Sequence, residues 1–280
     1  MKTLSVLFAV GILGILAGCP SRSSPTPGSP GFFWAVAQES YRTGDVVKAN
    51  NTLCELSHSE NSFTAKARTW HLVLAAGLSQ GYSELADAYD AGATMNLTSP
   101  LRFRKEASSL RSLAASAALD FTQTVHETLM LSKEANIGLA FRFPPGTAAE
   151  PEGLKKISYG IWLPDNEREA LLSQMLQRGV VRAASSAVGN PDDPVKAQAV
   201  FQAPEFQVPR AAFLFQTAKM LYDGSALFDP KRMDRPNRRA LLCTEALKAI
   251  QSIPETEATK ALAADIQSTL KAISGTAPRS

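Results

Sequence analysis

Histidine and cysteine are side chains that could ligate a metal ion or pair a base with a nucleophile, and each type occurs three times. His58, His71 and His126 are scattered, without the H-E-x-x-H arrangement that sets two imidazoles on one helix face to hold zinc. Cys54 and Cys243 have no cysteine or histidine at metal-ligand spacing. The sequence therefore predicts packed or surface histidines, no metal site and no cofactor.

The remaining nucleophiles and acids form no catalytic motif. The sequence contains no G-x-S-x-G nucleophile elbow and no glycine-rich phosphate loop. Glu167 and Glu169 stand in the first turn of a predicted helix, where acidic charge suits the helix dipole, so we interpret them as surface charges. We predict that the protein is not an enzyme. Glycan hydrolysis is kept as a lesser alternative, because two carboxylates distant in sequence can face each other in a fold.

Cys54 and Cys243 have two possible states. In an oxidising compartment they could pair as a disulfide. Both also lie on or beside apolar helical faces, where a free cysteine packs as a small apolar side chain. We therefore favour buried thiols.

One candidate binding stretch is basic. The segment KRMDRPNRR carries five basic residues, Lys231, Arg232, Arg235, Arg238 and Arg239. Such a cluster could bind an anionic partner, a lipid headgroup or a glycan. The alternative is a solvated loop in which Arg238 and Arg239 open the next helix.

A second candidate binding stretch is aromatic. The segment SYGIWLP places Tyr159 and Trp162 in a region interrupted by prolines. Aromatic side chains exposed in such a segment can act as recognition anchors. The alternative is that they pack into the core between helices.

These residues must be positioned by helices. Apolar residues recur at helical spacing along most of the chain, and the alternation typical of strands is rare. Four prolines between Pro144 and Pro164 exclude a regular helix there. We predict one all-α domain over residues 32–276, with helices at 33–42, 46–57, 63–78, 81–89, 99–135, 165–186, 195–201, 210–222, 237–253 and 256–273.

Two segments near the start of this domain share one spacing. The first contains Phe33, Val36, Ala37, Gly44, Asp45, Ala49 and Leu53, and the second contains Trp70, Val73, Gly81 and Ala86. Small residues at these positions let two helices cross closely, and a Gly-Asp pair makes the turn. The region resembles two degenerate tetratricopeptide repeats, which implies antiparallel helix pairs stacked in an α-solenoid. The alternative is an irregular helical bundle.

The N-terminal segment carries a targeting pattern. An apolar run over 4–16 follows Lys2, and it is shorter than the roughly 20 residues of a spanning helix. Leu16-Ala17-Gly18-Cys19 matches the lipobox, so the segment resembles those of bacterial lipoproteins. The resemblance implies that 1–18 is a signal peptide removed before Cys19. It also implies that Cys19 carries a diacylglycerol and that a further chain such as palmitate is attached.

Residues 19–31 are rich in proline, serine and glycine, and we predict that they form a tether between the lipid and the folded domain. Pro20 stands where an aspartate retains some lipoproteins at the inner membrane. By this sorting pattern, the lipoprotein resemblance favours an outer-membrane location facing the periplasm.

The formal net charge of +3 is small for a general nucleic-acid binder, which has a strong basic excess. We therefore expect a lipoprotein held at the membrane by its lipid, whose helices present a surface to a protein partner in the cell envelope. The first alternative is a carrier of a lipid or small molecule, with an apolar tunnel lined by residues such as Trp70, Phe103 and Phe121. The second is the glycan hydrolase.

Overall fold

A computed structural model of the chain describes residues 25–131, 135–138, 149–189, 193, 195 and 207–276. This part of the chain is all-α, as the sequence predicts. Its helices are α1 (Pro30–Arg42), α2 (Val46–Ser57), α3 (Thr64–Met95), α4 (Pro100–Leu131), α5 (Glu152–Ser158), α6 (Asp165–Ala187), α7 (Arg210–Ser225), α8 (Pro236–Gln251) and α9 (Glu257–Thr276). The lipobox with Cys19, and most of the helix predicted over 195–201, lie outside the described residues.

The first two helices form the hairpin that the sequence predicts. Ser29 caps α1 by accepting a hydrogen bond from the backbone N–H of Phe32 at 3.2 Å. Gly44 continues the turn with a φ of +89°, a left-handed value that glycine adopts without strain. Asp45 caps α2, because its Oδ1 accepts from the backbone N–H of Lys48 at 3.0 Å.

The third helix corrects the sequence prediction. It runs for 32 residues without a break, so the predicted separation into helices over 63–78 and 81–89 is wrong. At about 1.5 Å per residue it is roughly 48 Å long. Gly81 lies in the middle of this helix, and the second tetratricopeptide-like unit therefore lacks its turn. The all-α class is confirmed, whereas stacking as a solenoid stays a prediction.

The two longest helices, α3 and α4, pack side by side in opposite directions. Tyr89 near the end of α3 faces Phe103 near the start of α4, with ring centroids 6.0 Å apart. His71 in the first part of α3 bonds to Asp120 in the second part of α4. The α1–α2 hairpin packs on α3 through α2, and α5 and α6 also pack on α3. The α3–α4 pair is thus the frame that positions the other helices.

One helix and one pair of strands were not expected from the sequence. α5 begins after Pro151, in the stretch where prolines were predicted to exclude a helix. That prediction is wrong because a proline at the start of a helix removes no hydrogen bond from its interior. The strands β1 (Asn136–Gly138) and β2 (Gln207–Pro209) pair antiparallel, with Ile137 opposite Val208. Within the described residues, no helix combines the length and apolar character needed to cross a membrane.

Candidate functional site

A cleft of about 450 Å³ opens between α3, α4, α6, α7 and α8. Its volume falls within the range of roughly 300–1,000 Å³ that is usual for small-molecule sites. Ala76, Ala118 and Phe121 contribute apolar lining. The charged side chains of the lining have both signs, with Glu84, Asp87, Asp223, Arg182, Lys219 and Arg232.

Glycine residues bring α6 close to α3 beside this cleft. A Cβ atom added to Gly77 would overlap the backbone of Val180, and one added to Gly179 would overlap the carbonyl oxygen of Gly77. A Cβ on Gly81 would lie 2.6 Å from the carbonyl oxygen of Met175. The two backbones can therefore approach this closely only because these positions have no side chain. This crossing places the arginines of α6 next to the acids of α3.

Glu84 is held by these arginines. Its carboxylate forms ion pairs with Arg178 and with Arg182, the latter at 3.4 Å between Nη1 and Oε2. The side chain of Arg178 is largely buried and that of Glu84 is partly buried. Two arginine partners thus fix the position of the Glu84 carboxylate on the cleft wall. Salt and water screen such a partly buried pair less than an exposed one.

Asp87, one turn further along α3, is held from two other directions. Its carboxylate pairs with Arg111 of α4 at 3.3 Å and with Arg232 at 3.0 Å. Arg232 also donates to the hydroxyl of Ser83 at 3.4 Å. Glu84 and Asp87 thus both have arginine partners on the cleft wall. Their arrangement suits recognition of charge.

The five basic residues predicted as one binding patch have separate surroundings. Arg232 lines the cleft, whereas Lys231, Arg235 and Arg238 are exposed outside its lining and Arg239 is half-buried. The backbone N–H of Arg235 donates to the carbonyl oxygen of Phe228 at 3.1 Å where α8 begins. Arg238 and Arg239 do lie in the first turn of α8, as in the alternative interpretation of this stretch.

The two aromatic residues predicted as anchors also differ. Trp162 is partly buried and packs edge-on against Phe103, with ring centroids 5.1 Å apart. The guanidinium of Arg102 lies 3.8 Å from the centroid of the Trp162 ring. Tyr159 is 72% exposed. Trp162 thus packs against the core, and Tyr159 remains available at the surface.

A second polar cluster was missed by the sequence analysis. Cys54 of α2, His71 of α3 and Asp120 of α4 each offer a ligand atom, and these atoms all lie within 4.8 Å of one another. His58 is near too, with its Nδ1 3.9 Å from the sulfur of Cys54. Cys54 and His58 are four residues, or about one helical turn, apart in the sequence. That spacing was the available sequence signal.

Hydrogen bonds fix the protonation of His71. Its Nδ1 donates to Oδ1 of Asn50 at 3.0 Å, and its Nε2 donates to Oδ1 of Asp120 at 3.1 Å. Burial lowers the pKa of His71, but the hydrogen bonds and charges of Asp120 and Cys54 outweigh it, and the resulting pKa is about 9. His71 therefore pairs with Asp120 as a buried imidazolium.

Cys54 and Cys243, the two cysteines among the described residues, are free thiols. Cys243 is buried, as the favoured interpretation predicts, and Cys54 is half-buried. Burial raises the pKa of the Cys243 thiol. The disulfide considered from the sequence is not formed in this structure.

No protein-family model, curated protein or solved structure matches the chain.

Proposed function

We propose that this chain is a bacterial cell-envelope lipoprotein, anchored through Cys19, whose helical domain binds a protein partner in the cleft beside α3. The anchoring part rests on the lipobox. The binding part rests on one observation: a cleft with charges of both signs, in which the acids of α3 form ion pairs with arginines of the neighbouring elements. Fixed charges of both signs favour a polar segment with complementary charges and oppose other partners.

A polar segment fits this cleft better than an acyl chain. Trp70 and Phe103, which an apolar tunnel would expose, are both buried. Phe121 contributes to the cleft lining beside charged residues. An apolar cargo would remove water from those charges without replacing its hydrogen bonds, which is costly. The volume of the cleft favours a second candidate function, binding of a polar small molecule.

Photocrosslinking in intact cells tests the binding part. Lys219 is exposed and lines the cleft, so a photoreactive residue there should crosslink to the bound segment. Lys271 of α9 is equally exposed and outside the cleft lining, which makes it the matched control position. We expect one reproducible envelope protein attached at position 219 and absent at position 271. The same adducts at both positions would contradict binding in the cleft.

Arg232→Gln tests whether the charges of the cleft recognise the partner. We expect the adduct at position 219 to decrease, with little change in the free energy of unfolding, since a partly exposed ion pair contributes only about 0–1 kcal/mol. Arg238→Gln is the matched control, because Arg238 is exposed outside the cleft lining. An undiminished adduct in Arg232→Gln would count against this role. Recovery of a polar small molecule without a protein adduct would support the second candidate instead.

A further inference from the structure

We propose that Cys54, His71 and Asp120 bind a divalent transition-metal ion of the zinc type. The three residues come from three different helices, and their ligand atoms converge within 4.8 Å of one another. Sulfur, imidazole nitrogen and carboxylate oxygen are the three kinds of ligand that zinc takes in proteins. The site is separate from the cleft, whose lining contains none of these residues.

The distances require only a small closure. Bond lengths of about 2.3 Å to sulfur and 2.0 Å to nitrogen put tetrahedral ligand atoms roughly 3.5 Å apart. The cluster is therefore looser than a loaded site by no more than about 1.3 Å, using the zinc bond lengths. Cys54 is half-buried and the side chain of Asp120 is 37% exposed. These two ligands can adjust, and an ion can enter from the solvent side, while His71 is buried.

Asn50 supplies the support that a metal-binding histidine needs. Its Oδ1 accepts from Nδ1 of His71 at 3.0 Å, and its Nδ2 donates to Oδ2 of Asp120 at 3.2 Å. Histidine ligands usually donate their second ring N–H to such an acceptor, which fixes the ring and the tautomer. With Nδ1 held by Asn50, Nε2 faces Asp120, and the ion takes the place of the proton between them. Asn50 is thus a positioning residue for both ligands.

Cys54 can act as a metal ligand without being an activated nucleophile. A metal ion supplies positive charge and deprotonates the thiol that coordinates it. Cys54 therefore needs no helix N-terminus to act as a ligand, and it lies near the C-terminal end of α2.

His58 does not provide a further protein ligand in this geometry. Its Nδ1 donates to the carbonyl oxygen of Cys54 at 2.6 Å, and His58 contributes no atom to the converging cluster. We assign three protein ligands, with water at the fourth position. This is the pattern of zinc sites that keep an open coordination position.

Cobalt(II) titration of the full chain in mild detergent tests the site, because a thiolate–cobalt bond has its own near-ultraviolet charge-transfer band. We expect one Co²⁺ per chain with this band, and displacement of Co²⁺ by Zn²⁺. Cys54→Ser should abolish the band and weaken Zn²⁺ binding by about ten-fold or more, and Asn50→Ala should weaken it about 10–100-fold. Cys243→Ser is the matched control and should behave as wild type.

Alkylation of the wild-type chain provides a second measurement that needs no folded variant. Zn²⁺ should slow the reaction of Cys54 with iodoacetamide by about ten-fold, because the ligating sulfur is covered, as mapped by peptide mass spectrometry. The proposal is wrong if the wild-type chain shows no thiolate–cobalt band, or if the Cys54→Ser variant keeps the band. An alkylation rate of Cys54 that Zn²⁺ leaves unchanged overturns it as well.

Discussion

Two guanidinium groups enclose the indole ring of Trp162. The Cζ atoms of Arg102 and Arg168 lie 3.8 and 4.7 Å from the ring centroid. Both arginines stand in the first turn of a helix, α4 and α6 respectively, where the helix dipole disfavours positive charge. The electron-rich face of the indole offsets this with about 0.5–2 kcal/mol per cation. Trp162 therefore joins the starts of two helices.

We predict that Trp162→Ala lowers the free energy of unfolding by about 3 kcal/mol, because aromatic packing and the two cation–π contacts are lost together. Tyr159→Ala should change it by no more than about 0.5 kcal/mol, since Tyr159 is exposed. Urea unfolding followed by circular dichroism measures both. Equal effects of the two substitutions would show that Trp162 does not act as a core residue.

Single residues could be predicted from the sequence where their role is local. Gly44 and Asp45 were placed in their turn correctly, because the capping and φ requirements involve only neighbouring residues. The partnership of His71 with Asp120 was not predictable in this way. It depends on the register between α3 and α4, which the hydrophobic pattern of either helix leaves open.

At the scale of elements, glycine accounts for the main difference between the sequence prediction and the structure. Gly81 was interpreted as the turn of the second repeat-like unit, yet it lies inside α3, and both Gly81 and Gly77 face α6. Gly92 meets α5 in the same manner, close to the carbonyl oxygen of Ile157. A glycine in a helical pattern can mean a break or a close crossing, and the choice depends on a partner helix that is distant in the sequence.

The close crossing leads to a prediction for Gly179. A Cβ atom there would overlap the carbonyl oxygen of Gly77, which is rigid backbone. We expect Gly179→Ala to lower the free energy of unfolding by about 1–3 kcal/mol, because the helices must separate. In α7, a Cβ on Gly224 would meet only a methyl group of Leu242 at 3.9 Å. Gly224→Ala is therefore the control, and it should leave stability unchanged or raise it by up to about 1 kcal/mol.

Thermal and urea unfolding of the two glycine variants compare the same chemical change at a crowded and an open position. If the Gly179→Ala and Gly224→Ala variants had the same free energy of unfolding, the backbones of α3 and α6 could not be in close contact at Gly179. Loss of the α3–α6 crossing would also separate Arg182 from Glu84 on the cleft wall. The crossing thus couples the stability of the fold to the geometry of the cleft.

At the scale of the whole molecule, the proposed anchor limits where the cleft can act. Eleven residue steps separate Cys19 from Pro30, where α1 begins. At the maximum extension of about 3.3–3.6 Å per residue, α1 starts no more than roughly 40 Å from the lipid anchor. The cleft can therefore lie no further from the membrane than this reach plus the length of the domain itself, and its partner must lie within that distance.

The anchor itself gives the last prediction. We expect Cys19→Ser to abolish incorporation of labelled palmitate and to reduce the fraction of the protein that sediments with membranes. The physical reason is that stable attachment needs two or more acyl chains, each contributing about 0.8 kcal/mol per buried methylene. Cys243→Ser is the matched control, because it removes a buried thiol and leaves the lipobox intact. Palmitate retained in Cys19→Ser would exclude Cys19 as the attachment site, whatever the fractionation shows. If palmitate is lost while the uncleaved chain stays with membranes, the apolar run over 4–16 is the remaining anchor, and its removal should release the domain.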